Sequence, residues 1–307
     1  MSRAPSAARR DLRFLDPAIL ARLGTMELKT RTVVEGFLSG LHRSPSRGFS
    51  VEFAEYRQYL PGDDLSAVDW KAYARSDRPC IKRFEEETNV ACHLLLDVSA
   101  SMGYRGAAAM TKLEYGAVLA GSLAYLMNRQ RDATGLMTFD DEIRLRMPAR
   151  ARSSHLHAVL LALDRLRPGA ASNVARPLNQ LARALLKRSL VVLISDLLDD
   201  PVRLLRGLKQ LRVRGTDVVV FQILDSDEVT FPFRGSSRFR DLESAAEVVA
   251  DPAAVRAGYL RELDRLTATY TRELAGAGID YVRLDTSQPL DFALQAYLSR
   301  RGRRSQA

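Results

Sequence analysis

Apolar residues run almost without interruption through 90–97, 189–195 and 216–224. Such runs suit strands buried on both faces of a parallel sheet, whereas a half-exposed strand would alternate. Between them the spacing changes to the helical period. Over 112–129 it sets Leu113, Gly116, Ala117, Ala120, Leu123, Ala124 and Met127 on one stripe. The pattern further predicts strands at 133–139 and 279–285, a short strand at 142–147, and helices at 153–166, 174–187, 201–213, 252–276 and 289–300. Alternation of this kind implies an α/β fold, a doubly wound and mainly parallel sheet with helices on both faces, because parallel strands need crossover connections. The three continuous apolar runs are expected at its centre.

Two regions depart from the alternation. Asp16–Leu41 has apolar positions at helical spacing and predicts an N-terminal helical segment, ending at Gly40 before a turn-rich stretch at 43–48. Between Glu228 and Glu247, Phe231-Pro232-Phe233-Arg234-Gly235 predicts a turn and Arg238–Leu242 an edge strand. The expected organisation is therefore an N-terminal helix and arm over 1–87, a sheet domain over 88–300 and a basic tail over 301–307.

The chemistry concentrates where the first central strand ends. Leu94-Leu95-Leu96 leads into Asp97-Val98-Ser99-Ala100-Ser101, which places one carboxylate and two hydroxyls on one tight loop. All-oxygen donors of this kind suit Mg²⁺, a small hard cation that prefers octahedral oxygen ligation. Gly169-Ala170-Ala171-Ser172-Asn173 offers a third hydroxyl, and Ile194-Ser195-Asp196 repeats the strand-then-carboxylate pattern. Ligands in open α/β sheets gather beyond the carboxyl ends of the strands. Asp97, Ser99, Ser101, Ser172 and Asp196 would converge there if the two strands are neighbours. The same Ser and Asp residues also suit helix N-caps, Ser172 above all.

Composition narrows the alternatives. The chain has 307 residues, 46% of them hydrophobic and 27% charged, and a net charge of +9. No apolar run reaches the roughly 18 residues of a membrane span, and charges at Asp11, Arg13 and Asp16 interrupt any signal-like segment. A cytoplasmic location is expected, with Cys80 and Cys92 as reduced thiols; peripheral contact with an anionic membrane stays open. The arginines are interleaved with acids, as in Arg261-Glu262-Leu263-Asp264-Arg265, and no recognition motif accompanies them. Specific nucleic-acid binding is therefore not expected. His42, His93, His155 and His157 form no catalytic set. No His or Lys adjoins a ligand loop in sequence, although Lys112 opens the following helix and Asp140-Asp141 ends another strand.

A second dense segment precedes the sheet, running from Phe53 through Pro61-Gly62-Asp63-Asp64 to Asp69-Trp70-Lys71-Ala72-Tyr73-Ala74-Arg75. Trp70 and Tyr73 would pack this arm onto the sheet, with Asp63, Asp64 and Asp69 pairing Arg57 and Arg75. A partner-binding surface is the alternative use of the same residues.

On its Asp-x-Ser-x-Ser loop and Asp196 the chain resembles the von Willebrand factor A family, whose metal-ion-dependent adhesion site takes an Asp-x-Ser-x-Ser loop, a Thr and an Asp from three loops. Ser172 stands where that family has Thr. With the Gly62-Asp63-Asp64 to Asp69-Trp70 segment added, nearly the whole chain is similar to the domain of unknown function 58 family. The resemblance implies a von Willebrand A-like domain behind an N-terminal arm. It further implies metal-dependent adhesion through Mg²⁺, or Mn²⁺, at an open coordination position that a partner's acidic side chain completes. The implied partner is a MoxR-type AAA+ ATPase, and the implied role that of a non-enzymatic adaptor or co-chaperone. A metal-dependent phosphohydrolase using Asp97 and Asp196 is the rival reading, and it requires a general acid or base near the ion.

Overall fold

A computed structural model describes residues 20, 24–42, 56–58, 80–82, 91–171, 174–185, 189–244, 246–290 and 293–295. The chain divides into two compact units, Met1–Arg43 with Val90–Ala307, and Ser44–Asn89. In the second unit, β1 (Tyr56–Gln58) pairs antiparallel with β2 (Cys80–Lys82), Arg57 lying opposite Ile81. Asp63, Asp64, Asp69, Trp70, Tyr73 and Arg75 lie outside the described residues, as does the tail.

The first unit begins with α1 (Met26–His42). It continues through β3 (Cys92–Asp97), α2 (Lys112–Arg129), β4 (Thr134–Phe139), β5 (Ile143–Arg150), α3 (Ser153–Asp164), α4 (Ala175–Ala184) and β6 (Leu190–Ser195). There follow α5 (Pro201–Val213), β7 (Asp217–Leu224), the short α6 (Ser226–Thr230), β8 (Ser237–Arg240), β9 (Glu247–Ala250), α7 (Pro252–Gly276) and β10 (Asp280–Asp285). Six strands form one sheet in the order β10-β7-β6-β3-β4-β5. All neighbours are parallel except β5, which runs antiparallel to β4.

The apolar runs are continuous because both faces are covered. Leu94, Leu96, Val192, Ile194, Val219 and Phe221 point to one side, where α1, α2 and α3 lie. Leu95, Val191, Leu193, Val218 and Val220 point to the other, under α4, α5 and α7. The three runs expected at the centre hold β3, β6 and β7, and all three are interior to the sheet. β5 is the exception that proves the physical rule: its residues alternate half-buried and exposed, with Arg144, Arg146, Pro148 and Arg150 outward. It is an edge strand, and an edge tolerates Pro148 within it.

Two details differ from the sequence pattern. Met26, Val33, Val34 and Phe37 of α1 are buried in the core beside α2 and α3, so this helix goes with the sheet and not with the arm that follows it. The region after β7 holds α6 and an antiparallel β8–β9 hairpin, in which Phe239 faces Val248. Glu247–Ala250 is short and exposed, and it carries too little pattern to stand out as a strand.

Candidate functional site

β3 and β6 are adjacent and parallel, so Asp97, the last residue of β3, and Asp196, the residue after β6, emerge at the same edge of the sheet. Asp97 is fully buried. Its Oδ1 accepts from the Ser99 amide at 2.8 Å and its Oδ2 from the Ser195 hydroxyl at 2.6 Å. The Ser99 and Ser101 hydroxyls share a hydrogen bond at 3.1 Å. Strand adjacency thus brings Asp196 to the edge where Asp97 and the Ser99–Ser101 loop lie.

The neighbouring loop is stitched to this one. The Gly169 amide donates to the Val98 carbonyl at 2.6 Å, and the Ala100 amide to the Ala170 carbonyl at 2.8 Å. A Cβ at Gly169 would collide with Asp140 Oδ2, so the close approach requires glycine there. Ser172, two residues beyond Ala170, lies outside the described residues.

Past β6 the backbone turns sharply, with Leu197 in the left-handed region at φ 58°. For a residue with a Cβ this costs roughly 1–2 kcal/mol. The turn is held from three sides. Tyr270 Oη donates to the Leu197 carbonyl at 3.0 Å, Gln222 Nε2 to the Asp196 carbonyl at 2.9 Å, and the Leu198 amide to Asp196 Oδ1 at 3.2 Å. Strain overdetermined in this way fixes where the Asp196 carboxylate points.

Burial, and then the neighbouring Asp196 charge, push the Asp97 carboxyl well above the ordinary carboxylate range, although the Ser195 and Ser99 donors pull the other way. Negative charge is therefore in excess here. The compensating cation is one that the sequence did not place. Lys112 is fully buried, and its Nζ donates to Asp196 Oδ2 at 2.8 Å and to Glu228 Oε1 at 2.7 Å. Burial opposes that ammonium, but the Asp196 and Glu228 carboxylates outweigh it and hold its proton more tightly than usual. No lysine adjoins a ligand loop in sequence, but Lys112, which opens the following helix, meets Asp196 across 84 positions of chain. One signal existed: a lysine in the first turn of a helix sits against the helix dipole, which favours anions there.

Among the described residues no three or more His, Cys, Asp or Glu are grouped to hold a metal ion, so any ion site here depends on serine hydroxyls. The donor set fits that requirement. Adjacent ligands of an octahedral Mg²⁺ at about 2.1 Å stand about 3 Å apart, close to the 3.1 Å between the Ser99 and Ser101 hydroxyls. The two buried carboxylates nearby supply the charge.

A central, mainly parallel sheet clothed by helices, with an Asp-x-Ser-x-Ser loop and a second Asp at its carboxyl edge, defines a von Willebrand A-like domain. Comparison with known families gives the finer assignment. The chain belongs to the family described as "Protein of unknown function DUF58", whose model matches residues 55–269. It is 28% identical over 289 residues to the uncharacterized protein Rv1480 of Mycobacterium tuberculosis, covering 92% of this chain and 89% of that protein. The uncharacterized protein Mb1516 of Mycobacterium bovis matches to the same extent. Among solved structures, BatB of Bacteroides thetaiotaomicron is similar at 18% identity and a TM-score of 0.49, over 70% of this chain and 99% of that one. The SpRpn10 VWA domain is similar at 14% identity and 0.38, over 67% and 94%. No helix among the described residues is long and apolar enough to cross a membrane.

Proposed function

We propose that this chain is a non-enzymatic protein-interaction module that docks an acidic partner side chain at the carboxyl edge of its sheet, through a divalent cation. The observation that carries the reading is the pair of buried carboxylates, Asp97 and Asp196, set beside two hydroxyls on a loop held in place by hydrogen bonds. Ser99, Ser101, Asp97 and Asp196 would hold Mg²⁺ or Mn²⁺, with Ser172 as the further hydroxyl that the family resemblance implies. Such an ion supplies a Lewis-acidic point for a carboxylate. The chain's own part is to keep the four donors oriented and to shield them from water.

The hydrolase alternative needs a proton acceptor beside the reacting water. Lys112 holds its proton more tightly than a free lysine does, which favours docking over turnover. The partner we propose is a MoxR-type AAA+ ATPase, on the strength of the family resemblance, and the role is that of its adaptor or co-chaperone.

A pull-down of the ATPase by the full chain tests this, run in Mg²⁺, in chelator and with Ser101→Ala. Retention in Mg²⁺, lost in chelator and reduced in the variant, is the expected result. Retention that ignores chelator would end the ion-mediated mechanism, and no retention in any arm would end the partner assignment.

A further inference from the structure

Lys112 is the group that docking leaves unexplained. Helix energetics do not select a lysine at the first position of α2, where the dipole opposes it. A buried ammonium costs several kcal/mol before its partners offset it, and a well-packed apolar side chain often serves stability as well or better. Its two partners come from separate segments, the turn after β6 and the short α6 after β7. Their remaining oxygens are already engaged. Asp196 Oδ1 accepts from the Leu198 amide, and Glu228 Oε2 from the Asp225 amide at 2.7 Å, as half of the capping box of α6. Glu228 is therefore fixed independently of Lys112 and can hold the ammonium alone. Around this one ammonium stand two carboxylates, those of Asp196 and Glu228, and Asp196 in turn faces Asp97.

Building on the docking reading, we infer that Lys112 is a tethered cation that competes with the divalent ion for Asp196, and that Glu228 is the carboxylate that receives the lysine when the ion is held. Lys112 and Glu228 are then residues that set the affinity and charge selectivity of the site without coordinating the ion. The ammonium keeps Asp196 partly satisfied, so that only a cation of higher charge density displaces it. The site answers to divalent ions at a threshold higher than its oxygen donors alone would give.

Competition makes two neighbouring substitutions act in opposite directions, which a merely structural role would not do. Calorimetric titration of the full chain with Mg²⁺ should find Lys112→Met binding about tenfold or more tighter than the wild type, because a competing unit charge at ion-pair range is gone. Glu228→Gln should bind about tenfold weaker, because the lysine is left with Asp196 alone. Thermal melts give a second readout: Mg²⁺ should raise the midpoint further in Lys112→Met than in the wild type. If that variant unfolds without the ion, restoration of its fold by Mg²⁺ reads the same way. A wild type that is silent towards Mg²⁺ beside a Lys112→Met that binds it also supports the competition. Equal or weaker binding by Lys112→Met, with the wild type binding normally, overturns this inference and leaves the ion site standing. Absence of Mg²⁺ binding in every variant overturns the ion site itself, and this inference with it.

Discussion

Asp97 and Asp140 leave neighbouring strands at one edge of the sheet, Asp97 lying opposite Phe139 in register, and both carboxylates are buried. Their surroundings differ in kind. Arg144 Nε reaches both oxygens of Asp140, at 2.8 and 2.7 Å, and the Glu142 and Ala170 amides complete the shell. Burial would raise that carboxyl, but the guanidinium and the amides overcome it and bring it down to about 2. Asp97 accepts from the Ser99 amide and the Ser195 hydroxyl, both neutral donors, and it faces a second acid. Asp140 has its counter-charge built in and acts as a strap between two loops. Asp97 instead sits beside Asp196, and burial and then that neighbour's charge push its carboxyl up. An acidic residue at a strand end thus reveals its use by the charge of its donors, not by its burial.

The comparison breaks most visibly at Asp140. Asp140→Ala leaves the Glu142 and Ala170 amides without their acceptor and Arg144 with Asp141 alone, and should cost about 2–3 kcal/mol, since bonds to charged groups carry more than neutral ones. Chemical denaturation should find this loss equal with and without Mg²⁺. A loss that Mg²⁺ repairs would make Asp140 part of the ion site.

Acid titration gives the next effect. The folded carboxyl of Asp140 lies below its unfolded value, so its contribution is complete above about pH 4 and disappears as pH falls through about 2. Stability measured from pH 4 down to 2 should fall about 2 kcal/mol more steeply in the wild type than in Asp140→Asn. Parallel curves would show that the Arg144 contact carries no weight in solution.

The smallest change in stability is expected at Asp97. Asp97→Asn keeps an acceptor for Ser99 and removes a charge that Asp196 opposes, so in chelator it should alter stability by less than about 1 kcal/mol. In Mg²⁺ the same variant should lose whatever thermal stabilisation the wild type gains. A large loss in chelator would place Asp97 with Asp140 as a structural carboxylate and dissolve the contrast.

What the chain announces about itself follows the range of the interactions. β3, β6 and β7 are legible because each strand's burial on two faces writes a continuous apolar run into local sequence. The convergence of Asp97, Ser99, Ser101 and Asp196 follows from one topological fact, that β3 and β6 are neighbours. The reach of Lys112 to Asp196 and Glu228 spans 84 and 116 positions and depends on how α2 sits over the sheet, which no local pattern encodes. Glu247–Ala250 is hidden for the opposite reason, being four largely exposed residues whose pairing with β8 leaves no periodic trace. Position in the chain groups α1 with the arm that follows it, whereas its apolar face joins a core built mostly from Cys92 onward.

The alternation along β5 bears on how the molecule behaves in company. A sheet of buried parallel strands must end somewhere, and an unpaired, flat, apolar margin invites a second molecule to continue the ladder. Here the last strand turns antiparallel and shows Arg144, Arg146, Pro148 and Arg150 outward. Arg146 and Arg150 set like charges there, Arg144 being paired with Asp140, and the proline offers no amide to pair. On that margin the strand carries charge and a proline where a bare apolar edge would invite continuation of the ladder.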